Sequence, residues 1–96
     1  MDLNTLGIIA KGRNAVIGVE NIKSYFKKIK TKTGFLIVAK DASEKTKRKA
    51  NYLKEKYGLP LIELGTKKEI AKYFKKREIS VIYVKSRGFL DSLTSG

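Results

Sequence analysis

The sequence predicts an α/β fold, a three-layer αβα sandwich in which helices cover both faces of one central sheet. Helical and strand patterns alternate along the whole chain, with no internal repeat or linker. The strand segments are short and apolar, and the run Phe35 to Ala39 is typical of a strand that is covered on both faces. With 96 residues and 42% hydrophobic content, we expect a single domain over residues 1–96.

The first half of the chain predicts two helices around a short strand. Asp2 or Asn4 is expected to cap a first helix, which a basic turn at residues 11–14 ends. The apolar residues 15–17 form the first strand, and Gly18 separates it from a second helix. The inward face of that helix has three- and four-residue spacing and comprises Val19, Ile22, Phe26 and Ile29.

The second half predicts two further helix–strand pairs. The third helix is expected over residues 43–57, with Asp41 as its N-cap and Gly58 in the left-handed position that ends it. A strand at 61–64 follows, and Thr66 with Glu69 forms the capping box of a fourth helix, which the basic run 75–78 closes. The last strand is predicted at 79–84 and a short helix at 89–93.

The charge balance points to an anionic partner. Lys and Arg number 22 against nine Asp and Glu, a formal net charge of +13. Heat-adapted ion-pair networks also raise the lysine content, but they need both signs of charge. Nucleic acid is therefore the expected partner. We expect no membrane association, since no run approaches the ~20 apolar residues of a bilayer span.

The absence of cysteine and histidine excludes several kinds of chemistry. Disulfides, thiolate catalysis and the usual zinc ligands and general bases are missing together. We predict no metal and no cofactor, and we assign the chain to the cytoplasm.

The start of the second helix is a candidate anion site. Gly18 leaves little side-chain bulk in front of the helix end, where unpaired N–H groups and the helix dipole attract anions. Glu20 and Asn21 lie in the first turn, within reach of a ligand docked there. The alternative is that Gly18 is only a turn residue and that Glu20 only complements the dipole.

Several segments in a fixed order resemble one family. The residues are Leu6-Gly7 with the turn 11–13, the strand-to-helix turn 16–20, the segment 36–43, Leu59-Pro60 and the segment 65–70. Together they resemble the ribosomal protein L-seven-Ae/L-thirty-e superfamily, and within it the small bacterial branch called YlxQ-like. The resemblance covers nearly the whole chain.

This resemblance implies an αβα sandwich with a four-stranded mixed sheet that binds RNA, often at kink-turns. In that family the RNA meets the N-terminus of the second helix and the loop before the last strand, here residues 18–24 and 75–79. An apolar residue such as Ile79 would pack against a base turned out of the stack.

The chain departs from the family's kink-turn signature, which reads Gly-x-Asn-Glu-x-x-Lys. Glu20 and Asn21 are exchanged relative to that order, and Ser24 stands where the lysine is expected. Lys23 is one residue early, about 100° away around the helix. The departure weighs against tight recognition of a standard kink-turn and leaves RNA binding as the expectation.

Basic residues outside the signature extend the predicted contact. Lys27, Lys28, Lys30 and Lys32 form a dense run that is either a solvated face or part of a phosphate track, and we favour the track because Lys11, Arg13 and Lys40 are expected at the same sheet edge. The cluster 45–49 on the third helix is either a second RNA contact or a solubility feature, and we favour solubility. The predicted RNA-binding residues are Lys11, Arg13, Asn14, Gly18, Val19, Glu20, Asn21, Lys23, Ser24, Lys27, Lys40, Arg77, Glu78 and Ile79.

The sequence therefore predicts a non-catalytic, monomeric RNA-binding protein that recognises structured RNA, either rRNA elements or kink-turn-like RNA, and associates with the ribosome. One alternative is a constitutive structural ribosomal protein that braces rRNA. Another is an enzyme acting on RNA or nucleotides, but the sequence has neither a Walker-type loop nor an acidic cluster for two-metal chemistry.

Overall fold

A computed structural model describes residues 3–94 of the chain, in which helices and strands alternate as the sequence predicts. The elements are α1 (Thr5–Lys11), β1 (Ala15–Ile17), α2 (Val19–Lys28), β2 (Phe35–Val38), α3 (Glu44–Tyr57), β3 (Leu61–Glu63), α4 (Lys67–Lys72), β4 (Val81–Val84) and α5 (Gly88–Thr94). The predicted α/β class with one four-stranded mixed sheet is confirmed.

The sheet has the strand order β1-β4-β2-β3. β4 runs antiparallel to both of its neighbours, and β2 pairs with β3 in parallel. β1, β2 and β3 therefore point the same way. We call the side where these three strands end and β4 begins the upper edge, and the opposite side the lower edge.

Helices cover both faces of the sheet. Every residue of β2 and β4 is buried, and neighbouring side chains of a strand point to opposite faces. On one face, the ring of Phe26 in α2 lies edge-on to Tyr57 of α3 and to Tyr83 of β4, each at a centroid distance of 4.8 Å. On the other face α1 packs against α5, and Gly7 in α1 lies against the ring of Tyr73 at the end of α4.

The structure confirms the predicted capping at some helix ends and corrects it at others. The Thr66–Glu69 capping box of α4 and the left-handed Gly58 after α3 are both present. Asn4 makes no side-chain cap of α1, and Asp2 lies outside the described residues.

Asp41 was wrongly predicted to cap α3. Ser43 is the N-cap, and its Oγ accepts a hydrogen bond from the Thr46 N–H at 3.2 Å. Asp41 Oδ1 accepts instead from the N–H of Lys67, the first residue of α4, at 2.8 Å. β2 and β3 end side by side at the upper edge, so a carboxylate that follows β2 reaches the helix that follows β3.

The segment between α4 and β4 is longer than predicted. α4 ends at Lys72, and Lys75 adopts a positive φ of 57° that a helix does not allow. The basic residues 75–78 are therefore a loop rather than a last helical turn. β4 begins at Val81, so Ile79 and Ser80 also belong to this connection.

Candidate nucleic-acid interface

The N-terminus of α2 leaves backbone donors free at the upper edge. Gly18 has φ +88° and ψ 144°, a conformation that favours glycine, and its own N–H donates to the Val81 carbonyl at 2.9 Å. The N–H groups of Val19, Glu20 and Asn21 make no hydrogen bond with any residue in the range 3–94. These donors and the positive end of the helix dipole point to solvent.

A cleft of about 390 Å³ opens beside this helix end, and we call it the upper-edge cleft. It lies where β1 ends next to the beginning of β4, which brings the first turn of α2 and the connection before β4 together. Its lining residues are Ile17, Gly18, Val19, Glu20, Asn21, Thr46, Lys49, Glu78, Ile79, Ser80 and Val81. Six of the predicted RNA-binding residues thus meet in one place. They come from two segments, residues 18–21 and residues 78–79, that are nearly 60 positions apart in the sequence.

The polar side chains of the cleft differ in what they already bind. Asn21 Nδ2 donates to the Ile17 carbonyl at 2.9 Å, which fixes the amide and leaves its oxygen for a ligand. Glu78 lies 3.6 Å from Lys67 Nζ in an ion pair. The Glu20 side chain is exposed and takes part in no ion pair or hydrogen bond among residues 3–94, so it is the carboxylate available to an incoming donor.

Ile79 differs from its predicted role. Its side chain is 2% exposed and belongs to the core, so it forms the floor of the cleft and offers little surface to a base. Its N–H donates to the Lys67 carbonyl, which ties the connection to α4 and draws the side chain inward. The sequence placed residue 79 both in the RNA-contacting segment 75–79 and at the first position of the last strand, and the hydrogen bond to α4 could not be seen in the local sequence.

Five residues of the cleft were not among the predicted RNA-binding residues: Ile17 and Val81, which belong to strands, and Thr46, Lys49 and Ser80. Lys49 was assigned to the solubility cluster of the third helix. Lys49 reaches the cleft because α3 packs beside α2 on the same sheet face. The only available signal was the spacing that puts Lys49 on the same helix face as Lys45 and Tyr52.

The prediction that Lys11, Arg13 and Lys40 lie at the same edge of the sheet is wrong, because Lys40 lies opposite the other two. Lys11, Arg13 and Asn14 precede β1 and lie toward the lower edge, where the Asn14 carbonyl accepts from the Lys85 N–H after β4. Lys40 follows β2 and lies at the upper edge, where its N–H donates to the Gly65 carbonyl. Residues 14 and 18 flank β1, and four steps of about 3.3 Å separate the two edges by about 13 Å.

The remaining predicted residues lie beside the cleft rather than in it. Lys23, Ser24 and Lys27 project from α2 toward α3. Arg77 is exposed on the connection before β4, near Lys68 and Lys76. The cleft therefore continues into basic surface along α2 and along the loop.

Most cations of the described residues have no acidic partner. Residues 3–94 contain three ion pairs, Lys47–Glu63, Lys54–Glu55 and Lys67–Glu78, and each involves side chains that are partly open to solvent. Such exposed pairs contribute little to stability. The phenolic oxygen of Tyr52, and then that of Tyr57, raises the pKa of Lys56 by favouring its charged form.

The described range holds neither a cluster of metal-ligand side chains nor a helix fit to cross a membrane. Residues 3–94 hold no group of three or more carboxylate, imidazole or thiol side chains arranged to bind a metal ion. Within the same range, none of the helices has the length and apolar character that crossing a membrane requires.

Comparison with known proteins shows the fold. No protein-family model matches the chain, and no curated protein matches it either. The chain is similar to a solved protein of unknown function from Bacillus halodurans C, with a TM-score of 0.81, 28% identity and coverage of 97% of this chain and 92% of that one. It is also similar to the 15.5kD RNA binding protein of Giardia lamblia, with a TM-score of 0.71, 17% identity and coverage of 97% and 78%.

Proposed function

We propose that this protein is a non-catalytic RNA-binding domain that holds structured RNA, kink-turn-like or ribosomal, at the upper-edge cleft. The proposal includes membership of the L-seven-Ae/L-thirty-e superfamily in its YlxQ-like branch, association with the ribosome, and a cytoplasmic location. The observation that carries it is the meeting of the free N–H groups of α2 with the connection before β4, on a chain of net charge +13.

The cleft has the chemistry for two kinds of RNA contact. The N–H groups at the start of α2 and the Lys49 ammonium suit phosphate oxygens. The Glu20 carboxylate is an acceptor for the N–H groups on the Watson–Crick edge of a guanine, and Asn21 keeps its oxygen as a second acceptor. Phosphate contacts would position the RNA, and Glu20 would supply the readout of the base.

The likeness in fold supports the proposal independently of charge. The Giardia lamblia protein is by its description an RNA binding protein, and it shares this fold at low identity. A fold hosts many functions, so the likeness adds to the argument from the site and does not replace it.

The test is binding to a kink-turn RNA and to a plain duplex of equal length across a salt series. Phosphate attraction alone gives both RNAs similar affinity and the same steep salt dependence. Because the exchanged Glu20 and Asn21 weigh against tight recognition of a standard kink-turn, we expect a preference for it of only about tenfold, ~1.4 kcal/mol, that persists as salt is added. Similar affinity for both would contradict readout at the cleft, and absence of binding to either would overturn RNA binding.

The matched control uses two first-turn glutamates. Glu20→Ala and Glu44→Ala change the net charge equally, and both residues lie in the first turn of a helix. Of these two glutamates, only Glu20 lines the cleft. We expect Glu20→Ala to lose the preference and Glu44→Ala to keep it.

Ribosome association has a separate test. If the protein is a constitutive structural component, it stays with the large subunit through a high-salt wash. If it is an associated factor held by phosphate contacts, the wash releases it because those contacts weaken with salt. Absence from ribosomal fractions at low salt would reject both.

A further inference from the structure

A second surface lies between α2 and α3. It consists of two adjoining depressions of about 270 and 290 Å³, which we call the α2–α3 groove. Beyond Glu20 at its upper end, its lining residues are Lys23, Ser24, Lys27, Lys45, Arg48, Lys49, Tyr52, Leu53, Lys56 and Tyr57.

The helical spacing explains why these side chains face one another. Residues 20, 23, 24 and 27 recur at three- and four-residue intervals along α2, and residues 45, 48, 49, 52 and 56 do so along α3. Two basic stripes therefore line the same groove. Like charges at this spacing repel one another, and none of Lys23, Lys45 and Arg48 is in an ion pair of the described range. An arrangement that destabilises the free protein is explained by an anionic occupant.

Tyr52 distinguishes this groove from a solvated basic face. It is 56% exposed, and with Ile8 it is one of the two large hydrophobic side chains exposed among residues 3–94. Solubility accounts for the lysines but not for an open aromatic ring between them. An aromatic ring flanked by cations is the arrangement that binds single-stranded nucleic acid, since the base stacks on the ring while cations hold the phosphates.

We infer that the α2–α3 groove binds a single-stranded RNA segment that adjoins the structured element in the upper-edge cleft, with Tyr52 stacking on one base. The two surfaces are continuous, because Glu20 and Lys49 line both of them. From Lys45 to Lys56 the groove extends for about 16 Å along α3, since each residue adds ~1.5 Å. That length suits about five stacked nucleotides at ~3.4 Å each. The inference rests on RNA as the ligand of the proposed function.

The first experiment places a fluorophore in the groove. The chain contains no tryptophan, so Tyr52→Trp introduces a single one, and Ile8→Trp provides a matched control at an exposed site on α1. The probe is a single-stranded oligoadenylate of about ten nucleotides, because every base offers a face for stacking. We expect quenching at position 52 and none at position 8. Equal quenching at both positions, or none at 52, would overturn the inference.

The second experiment separates the groove from the cleft. A kink-turn RNA is compared with the same RNA carrying a single-stranded tail of about ten nucleotides, for the unchanged protein and for Tyr52→Ala. We expect the tail to raise affinity about tenfold, ~1.4 kcal/mol, and Tyr52→Ala to abolish that gain while leaving binding of the tail-free RNA intact. If the tail does not raise the affinity of the unchanged protein, the inference that the groove binds single-stranded RNA is overturned.

Failure of the proposed function looks different. Suppose that the kink-turn and the duplex bind equally, while the tail still raises affinity in a way that depends on Tyr52. The inference about the groove is then supported, and the proposed base readout at the cleft is rejected. If an acidic peptide quenches position 52 as strongly as the oligoadenylate does, the groove is a general anion surface and the RNA assignment is overturned.

Discussion

Cations at the lower edge and cations in the α2–α3 groove have the same chemistry but opposite surroundings. At the lower edge, Lys32 Nζ lies 5.0 Å from the ring centroid of Tyr57 and donates to the Ile29 carbonyl at 3.2 Å. Lys85 Nζ lies 5.0 Å from the ring centroid of Tyr25. These charges are engaged by the protein itself, which makes them part of its stability.

In the groove, the side chains of Lys23, Lys45 and Arg48 make no ion pair, hydrogen bond or cation–π interaction within the described range. Their charges repel one another in the free protein and remain available to a ligand. The comparison teaches that net charge alone does not locate a binding surface, because only cations without an internal partner contribute to it fully.

The largest effect on stability is expected at Gly34, where the backbone of Val84 leaves no room for a side chain at the lower edge. A Cβ added at Gly34 would lie 1.7 Å from the Val84 carbonyl oxygen, which cannot rotate away. Gly34→Ala should therefore lower the free energy of unfolding by ~3 kcal/mol, through displacement of β2 from β4. Urea denaturation measures the change. Gly58→Ala is the control: nothing lies within 4 Å of its added Cβ, so it should cost only ~1–2 kcal/mol for the left-handed φ.

A hydrogen bond at the same place gives the next largest effect. The buried Gly34 N–H donates to the Tyr83 hydroxyl at 3.2 Å. Tyr83→Phe leaves that donor unsatisfied and should cost ~1–2 kcal/mol in urea denaturation. Tyr25→Phe, at a half-buried ring whose hydroxyl makes no hydrogen bond within residues 3–94, should cost much less. Equal losses would mean that the Gly34 hydrogen bond carries no special weight.

The sequence predicted the fold well because its signals are local. The Thr66–Glu69 capping box, the left-handed Gly58 and the apolar run of β2 each specify structure within a few residues. What the sequence did not predict depends on strand order. Asp41 accepts a hydrogen bond from the first N–H of α4 because β2 and β3 are neighbours, a pairing that no local pattern encodes.

In the candidate site, too, the features set by local sequence were predicted and those set by strand order or helix packing were not. The free helix end at Gly18 was predicted from residues that adjoin it, whereas the meeting of that end with Glu78 needs the β1–β4 pairing. The expectation that Arg13 and Lys40 share an edge was wrong because β1 and β2 point the same way, so that Arg13, before β1, and Lys40, after β2, lie at opposite edges. Lys49 was missed because the packing of α3 beside α2 decides which of its faces meets a ligand.

A matched pair of lysines tests the comparison of cations directly. Lys32→Ala should lower the free energy of unfolding by ~0.5–1 kcal/mol, because it removes contacts to two rings, and should leave RNA affinity unchanged. Lys45→Ala should keep or slightly raise stability, because it removes a charge that its neighbours repel. It should also reduce the slope of log affinity against log salt by ~0.7–0.9, the loss of one phosphate contact. Urea denaturation and a salt series measure both. If the two substitutions gave the same pattern, the division between engaged and available cations would be wrong.

Lys56 is the intermediate case and gives the smallest effect. Its Nζ lies 5.7 Å from the ring centroid of Tyr52 and 5.5 Å from that of Tyr57, and the phenolic oxygens raise its pKa. A raised folded-state pKa means that its contribution to stability is fully present below the ordinary lysine pKa and is lost as pH rises through the folded value. The loss of this contribution therefore occurs only in alkaline solution. At neutral pH, Lys56 is charged with or without its tyrosine neighbours. A side-chain NMR titration of Lys56 should show its midpoint fall in Tyr52→Phe, which removes the larger cause and keeps the ring. An unchanged midpoint would mean that Tyr52 does not hold this cation, and Lys56 would then count among the available charges of the groove.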